Sequence, residues 1–289
     1  MIGGRRLSIA AGTLRGATPP EAVEAAAGAG FDALGLRFDI EPPTAQGLRH
    51  ARHTLDGSGL SVLDVEVVRI RPGDDDETTR QLSAWGEAVG AAFLLVVSDD
   101  PDRGRTVARF AETCATAADH GMRAVLEFMR FTAVPTLTEA VEVVTAAGMP
   151  GAGVLVDALH LARSGDEPDV LASVAADLLP YAQLCDATAT PPAGGVAALA
   201  DEARHARSMP GTGALPLAAL LHELPPQAPL SLEILSDAWD GRPRAEVALV
   251  AMAAARRVLQ PLEGHGAGRG GVATAPGRSA AVAVAREGK

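Results

Sequence analysis

The chain has 289 residues, 47% hydrophobic and 21% charged, ordinary globular usage that excludes a disordered, collagen-like or coiled-coil protein. A compact fold of this length buries about 75% of the surface its unfolded chain exposes, so no disulfide staple is required. Acidic side chains number 36 and basic ones 25, and the resulting formal net charge of −11 excludes phosphate backbones and anionic membranes as main partners.

Taken in order, apolar runs of strand length fall at 6–11, 33–37, 61–70, 93–98, 124–128, 154–157, 181–185 and 230–235. Between them lie Ala-rich helical patterns near 19–29, 43–56, 75–90, 102–119, 136–147, 167–178, 197–207 and 243–259. Runs of Val, Leu and Ile without a polar face are strands buried on both sides, the habit of parallel sheets. The stretch from Leu7 to Leu14 follows Arg5 and Arg6 like a short signal-peptide core. Arg15 interrupts it, and it reads as the first strand.

Helix signals agree with this count. Thr18-Pro19-Pro20-Glu21 puts prolines in a first helical turn, and Thr136 to Glu139 has the capping-box spacing. Gly30, Gly59, Gly121 and Gly148 stand where helix C-caps are expected. Eight βα units predict an α/β fold, a single (β/α)₈ TIM barrel over residues 1–261. A doubly wound open sheet is the competitor, but Gly12-Thr13-Leu14-Arg15-Gly16 is a poor phosphate-binding turn. Residues 262–289, rich in Gly, Ala and Arg without periodicity, read as a flexible tail. Cys114 and Cys185 lack metal-ligand spacing and read as reduced core residues. With no run near the ~20 apolar residues of a membrane helix, the expected location is the cytoplasm.

Four late strands each carry a polar residue in an apolar run: Glu127, Asp157, Gln183 and Glu233. A carboxylate buried in a strand costs several kcal/mol unless a charge compensates it. No Arg or Lys lies within the apolar cores of these strands, and three acids with one amide compensate one another badly. A divalent cation resolves the conflict, leaving three carboxylates and a 2+ ion at −1. The all-oxygen set selects a hard ion, Mn²⁺ or Mg²⁺ ahead of Co²⁺ or Zn²⁺.

These residues resemble those of the xylose-isomerase-like TIM-barrel superfamily, which includes sugar isomerases and epimerases, inosose dehydratases, 3-dehydroshikimate dehydratases and an endonuclease. The resemblance covers most of residues 5–260 and implies that Glu127, Asp157, Gln183 and Glu233 hold one catalytic metal ion. Many members have His at the third position; Gln183 is a departure shared with the 3-dehydroshikimate dehydratases.

Asp157-Ala158-Leu159-His160 matches the family's Asp-x-x-His, implying that His160 faces a substrate oxygen. The segment ending in Pro210-Gly211-Thr212-Gly213 resembles the loop after strand seven, in which Arg207, chosen over Arg204, would reach the substrate. Thr212 stands where the family usually has Glu, so that Glu's task is without a carrier. Glu66 and Arg69 on the third strand, and Arg130 past the fifth, are further candidate contacts.

The implied chemistry is proton abstraction beside the carbonyl of a polyhydroxylated ketone or aldehyde, through a metal-stabilised enediolate. Glu127 and Glu233 would transfer protons on opposite faces, with His160 assisting. Isomerisation or epimerisation leads, a dehydratase (lyase) is the alternative, and a non-catalytic sugar-binding barrel is the third reading. The partner is a small carbohydrate-like molecule. Family habit also implies a homodimer. The early strands lack the His set, and the surface the positive charge, of a nuclease.

Overall fold

A computed structural model describes residues 4–38 and 43–263. Eight parallel strands close into a barrel in sequence order: β1 Leu7–Ile9, β2 Ala33–Arg37, β3 Ser61–Ile70, β4 Phe93–Ser98, β5 Arg123–Glu127, β6 Gly153–Asp157, β7 Ala182–Leu184 and β8 Leu230–Leu232. Closure is made by β1 on β8, with Leu7, Ser8 and Ile9 in register with Leu230, Ser231 and Leu232. All eight predicted strands are present. The eighth is shorter than its apolar run, so Glu233 stands just past its C-terminal end.

Apolar residues on both faces of the strands serve two cores. Outward residues pack on the helices in one large cluster, while Leu63, Phe93, Leu95, Val125, Leu155 and Tyr181 belong to a second cluster plugging the interior. The Phe93 and Tyr181 rings meet at 4.9 Å within it. Below the mouth the barrel is therefore solid, and any site must form at its C-terminal end.

The helices are α1 Pro19–Ala29, α2 Ala45–Ser58, α3 Glu77–Val89, α4 Arg103–Asp119, α5 Leu137–Ala147, α6 Ala158–Ser164, α7 Gly195–His205, α8 Leu217–Glu223 and α9 Arg244–Glu263. Thr18 and Glu21 form a reciprocal capping box at α1, and the Thr136 hydroxyl accepts from the Glu139 amide at α5. The left-handed glycines expected at C-caps are there, with φ of 79° at Gly30 and 63° at Gly148. No helix among the described residues is long and apolar enough to cross a membrane.

Three corrections concern helices. The helix expected at 167–178 is two 3₁₀ turns, Pro168–Ser173 and Ala176–Leu178. The helix that follows β6 starts at Ala158 with no connecting loop, and α8 was not anticipated. Both missed helices have 7 residues, too few for a helical period to show in sequence. The predicted tail from 264 onward lies outside the described residues, and α9 runs to Glu263.

Candidate metal centre

Each acidic candidate owes its position to a strand end. Glu127 is the last residue of β5, Asp157 the last of β6, and Glu233 follows β8. One oxygen from each lies within 4.8 Å of the others, and all three residues are buried. Gln183 stands on β7 in register beside Asp157, and neither polar atom of its buried side chain has a hydrogen-bond partner among the described residues. Three carboxylates from three strands thus meet at the mouth, and Gln183 stands in register beside one of them.

Asp157 has a second local task. Its Oδ1 accepts the His160 amide at 2.9 Å, making it the N-cap of α6. The strand thus passes directly into the helix, and His160 is held one turn above the carboxylates. The His160 Nε2 lies 3.8 Å from Glu127 Oε1 and 3.2 Å from Arg207 Nη2. Burial lowers its pKa to about 4, aided by the Arg207 charge against the pull of Asp157, so the ring is neutral.

Arg207 is the group the sequence placed in the site without its partners. Its Nη1 donates to Asp157 Oδ2 at 2.8 Å and lies 2.9 Å from Glu233 Oε2, while Nε donates to the Ala203 carbonyl at 2.7 Å. The loop that delivers it is clamped by Asp186. That carboxylate accepts from the amides of Gly211 and Leu215 at 2.9 Å each. A Cβ on Gly213 would lie 2.4 Å from the Ala187 carbonyl oxygen, so the glycine is required for this close approach. The Pro-Gly-x-Gly segment therefore works as a structural clamp. A buried bidentate pair, Arg163 to Glu202 at 2.7 Å, ties α6 to α7 behind it.

Three buried carboxylates beside one buried guanidinium leave a residual charge of −2. Burial opposes ionisation of Asp157, yet Arg207 and His160 hold its pKa below the usual range. Burial, then repulsion from Glu233 and Asp157, pushes Glu127 well up. Burial raises Glu233 to about 7 against the opposing effect of Arg207. One divalent cation cancels the residual charge and gives the unpartnered Gln183 oxygen a role, so the residues present fit a hard 2+ ion.

The centre opens into a cavity of about 310 Å³ whose walls include Glu66, Arg69, His160 and Arg207. Arg69 pairs with Asp99 at 2.8 Å. Arg130 is exposed just beyond β5 and is not among the wall residues of this cavity. Arg37, Phe131 and Arg204 line the cavity and were not chosen from sequence. Arg204 was set aside for Arg207, three residues on; the two face different neighbours because α7 ends at His205 between them. Cys114 and Cys185 are buried free thiols.

Residues 23–258 match the xylose isomerase-like TIM barrel family. The chain belongs to that family. Among solved structures it is similar to a xylose isomerase-like TIM barrel/4-hydroxyphenylpyruvate dioxygenase fusion protein, at 23% identity and a TM-score of 0.74, covering 86% of this chain and 42% of the other. The chain thus spans about two fifths of that fusion. It is also similar to an IolI protein with a bound zinc atom (17% identity, TM-score 0.74, 89% of this chain and 99% of that one). A third similar structure is the probable 3-DHS dehydratase AsbF of Bacillus anthracis (15% identity, TM-score 0.69, 86% and 97%). At these identities the likeness is one of fold. No curated protein matches the chain in sequence.

Proposed function

We propose that this barrel is a divalent-metal-dependent enzyme that removes a proton beside the carbonyl of a small polyhydroxylated ketone or aldehyde, as an isomerase or epimerase. The observation that carries the reading is the meeting of Glu127, Asp157 and Glu233 within 4.8 Å at the barrel mouth, beside the unpartnered Gln183. These four would hold the ion, Mn²⁺ or Mg²⁺ by donor hardness. The chemistry such an ion supplies is Lewis-acid polarisation of the substrate carbonyl.

The chain's own groups do the rest. Glu233, just past the end of β8, would take a proton from the substrate. Glu127, at the end of β5, would return a proton to the substrate. Two carboxylates at the ends of separate strands are what transfer between carbons or faces requires. His160, neutral, orients a substrate oxygen, and Arg207 balances the charge that develops beside Asp157 and Glu233. Glu66 and Arg69, which line the same cavity, would contact the substrate. The buried free thiols favour a cytoplasmic location.

Gln183 supports a second reading. An amide in place of an imidazole makes the third ligand a weakly basic oxygen, and a dehydratase of the 3-dehydroshikimate or inosose type would use the same proton abstraction before losing a β-hydroxyl. Incubating the Mn²⁺-loaded protein with ketoses, inososes and 3-dehydroshikimate in D₂O tests both readings. Isomerisation or epimerisation places deuterium beside the carbonyl; elimination yields a conjugated product absorbing in the near ultraviolet. No exchange and no new absorbance with any of them, from protein shown to hold its metal, would overturn both.

A further inference from the structure

The cavity walls contradict the charge of the chain. At a net charge of −11, the wall residues of the inner cavity nevertheless include five arginines against three glutamates. Three of these arginines have local partners: Arg207 on Asp157 and Glu233, Arg69 on Asp99, and Arg15 on Asp237 and Asp240. Arg204 has no carboxylate partner among the described residues. Its guanidinium lies over the Phe131 ring at 5.3 Å from the centroid, and that ring meets the His160 ring edge-on at 5.6 Å. A stack therefore runs from the metal centre to the rim: imidazole, phenyl, guanidinium.

The rim is built to hold this arrangement. Arg15 Nη1 pairs with Asp237 at 2.9 Å, while its Nη2 donates to the Arg204 carbonyl. His205 Nδ1 lies 3.0 Å from the same Asp237 carboxylate. The Arg204 backbone is thus pinned while its side chain reaches across Phe131. Beyond the stack lies an outer, open cavity of about 670 Å³, and Arg69, Phe131 and Arg204 line both cavities. These three form the neck between them. Arg69 engages Asp99 through Nη1, leaving the rest of its fork for another acceptor.

We infer that the substrate carries an oxyanion, a carboxylate or a phosphate, at the end remote from the reacting carbonyl, and that Arg204 and Arg69 bind it at this neck. The inference deepens the function proposed above and rests on that reading for the orientation of the substrate, with its polyol end on the carboxylate cluster. A planar fork presenting paired donors suits either oxyanion. Phe131 supplies the apolar wall along which the carbon chain lies.

Calorimetric titration of the Mn²⁺-loaded protein with D-arabinitol, D-arabinonate and D-arabinitol 5-phosphate tests it without turnover. The expected result is that at least one anionic analogue binds about tenfold or more tighter than arabinitol, the margin of a charged hydrogen-bonded pair. Arg204→Gln should remove most of that margin while arabinitol binding changes less than about twofold, and Arg69→Gln should also lower the margin. The analogue with the larger Arg204-dependent margin identifies the group as carboxylate or phosphate. Equal binding of all three, no anionic binding at millimolar concentration, or a margin that survives both substitutions would overturn the inference. Metal analysis of the same samples separates the two claims. A wild type that takes up no Mn²⁺ sinks the metal reading, whereas the anion margin, measured again after EDTA, still decides this one.

Discussion

Two buried arginines mark the two ends of this barrel, and they are satisfied differently. At the bottom, just before β1, Arg5 donates to four backbone carbonyls, those of Pro225, Ala228, Leu221 and Leu224, at 2.6–3.2 Å. It meets neutral acceptors, closes the C-terminal end of α8, and leaves nothing over. At the mouth, Arg207 meets Asp157 and Glu233, with Glu127 beside them and Gln183 unpartnered. Arg5 is satisfied by the chain's own carbonyls; the carboxylates around Arg207 are balanced only with a further cation.

Substitutions at the two ends should separate them. The largest effect is expected from Glu233→Gln, which keeps shape but removes a proton acceptor. Turnover in the deuterium-exchange assay should fall about 10²–10⁴-fold. Next, Arg207→Met leaves Asp157 and Glu233 without their counter-charge. It should cost about 3–5 kcal/mol in thermal unfolding of the EDTA-treated protein, and less with Mn²⁺ present. Equal losses with and without metal would mean that ion and guanidinium do not share one charge balance.

Arg5→Ala is the counterpart at the bottom. With four carbonyls losing their donor, stability should fall by about 1–3 kcal/mol. Metal content and turnover per folded molecule should stay at wild-type values, and a loss of either would break the distinction between the ends. The smallest change is expected from Thr136→Ala at the N-cap of α5. About 1 kcal/mol of stability should go, with no effect on exchange.

Much of this was legible in the sequence because burial on both faces leaves a plain signature. The eight strand runs needed no tertiary information, and a charged residue at the end of an apolar run, as at Glu127 or Asp157, is conspicuous for its cost. What was hidden depends on closure of the barrel. Arg207 is 50 residues from Asp157 and 26 from Glu233, and no local pattern announces that one guanidinium meets both. The Asp186 clamp and the Arg163–Glu202 tie are likewise long-range pairs of ordinary residue types. Arg204, in the last turn of α7, and Phe131, in the loop after β5, are common residues that become a wall only when β5 and β7 are neighbours of β6. Helix α6 was missed for a local reason: Asp157 ends the strand and caps the helix at once.

Metal content tests the central claim most directly. Wild type and Glu127→Ala should be purified in parallel, offered Mn²⁺ in excess, desalted and measured by elemental analysis. About one equivalent of divalent ion per wild-type chain is expected and little in the variant, with both folded by circular dichroism. A wild type that retains no ion, or a variant that retains as much, would contradict it, and the acids at the mouth would then need a partner that is not a metal.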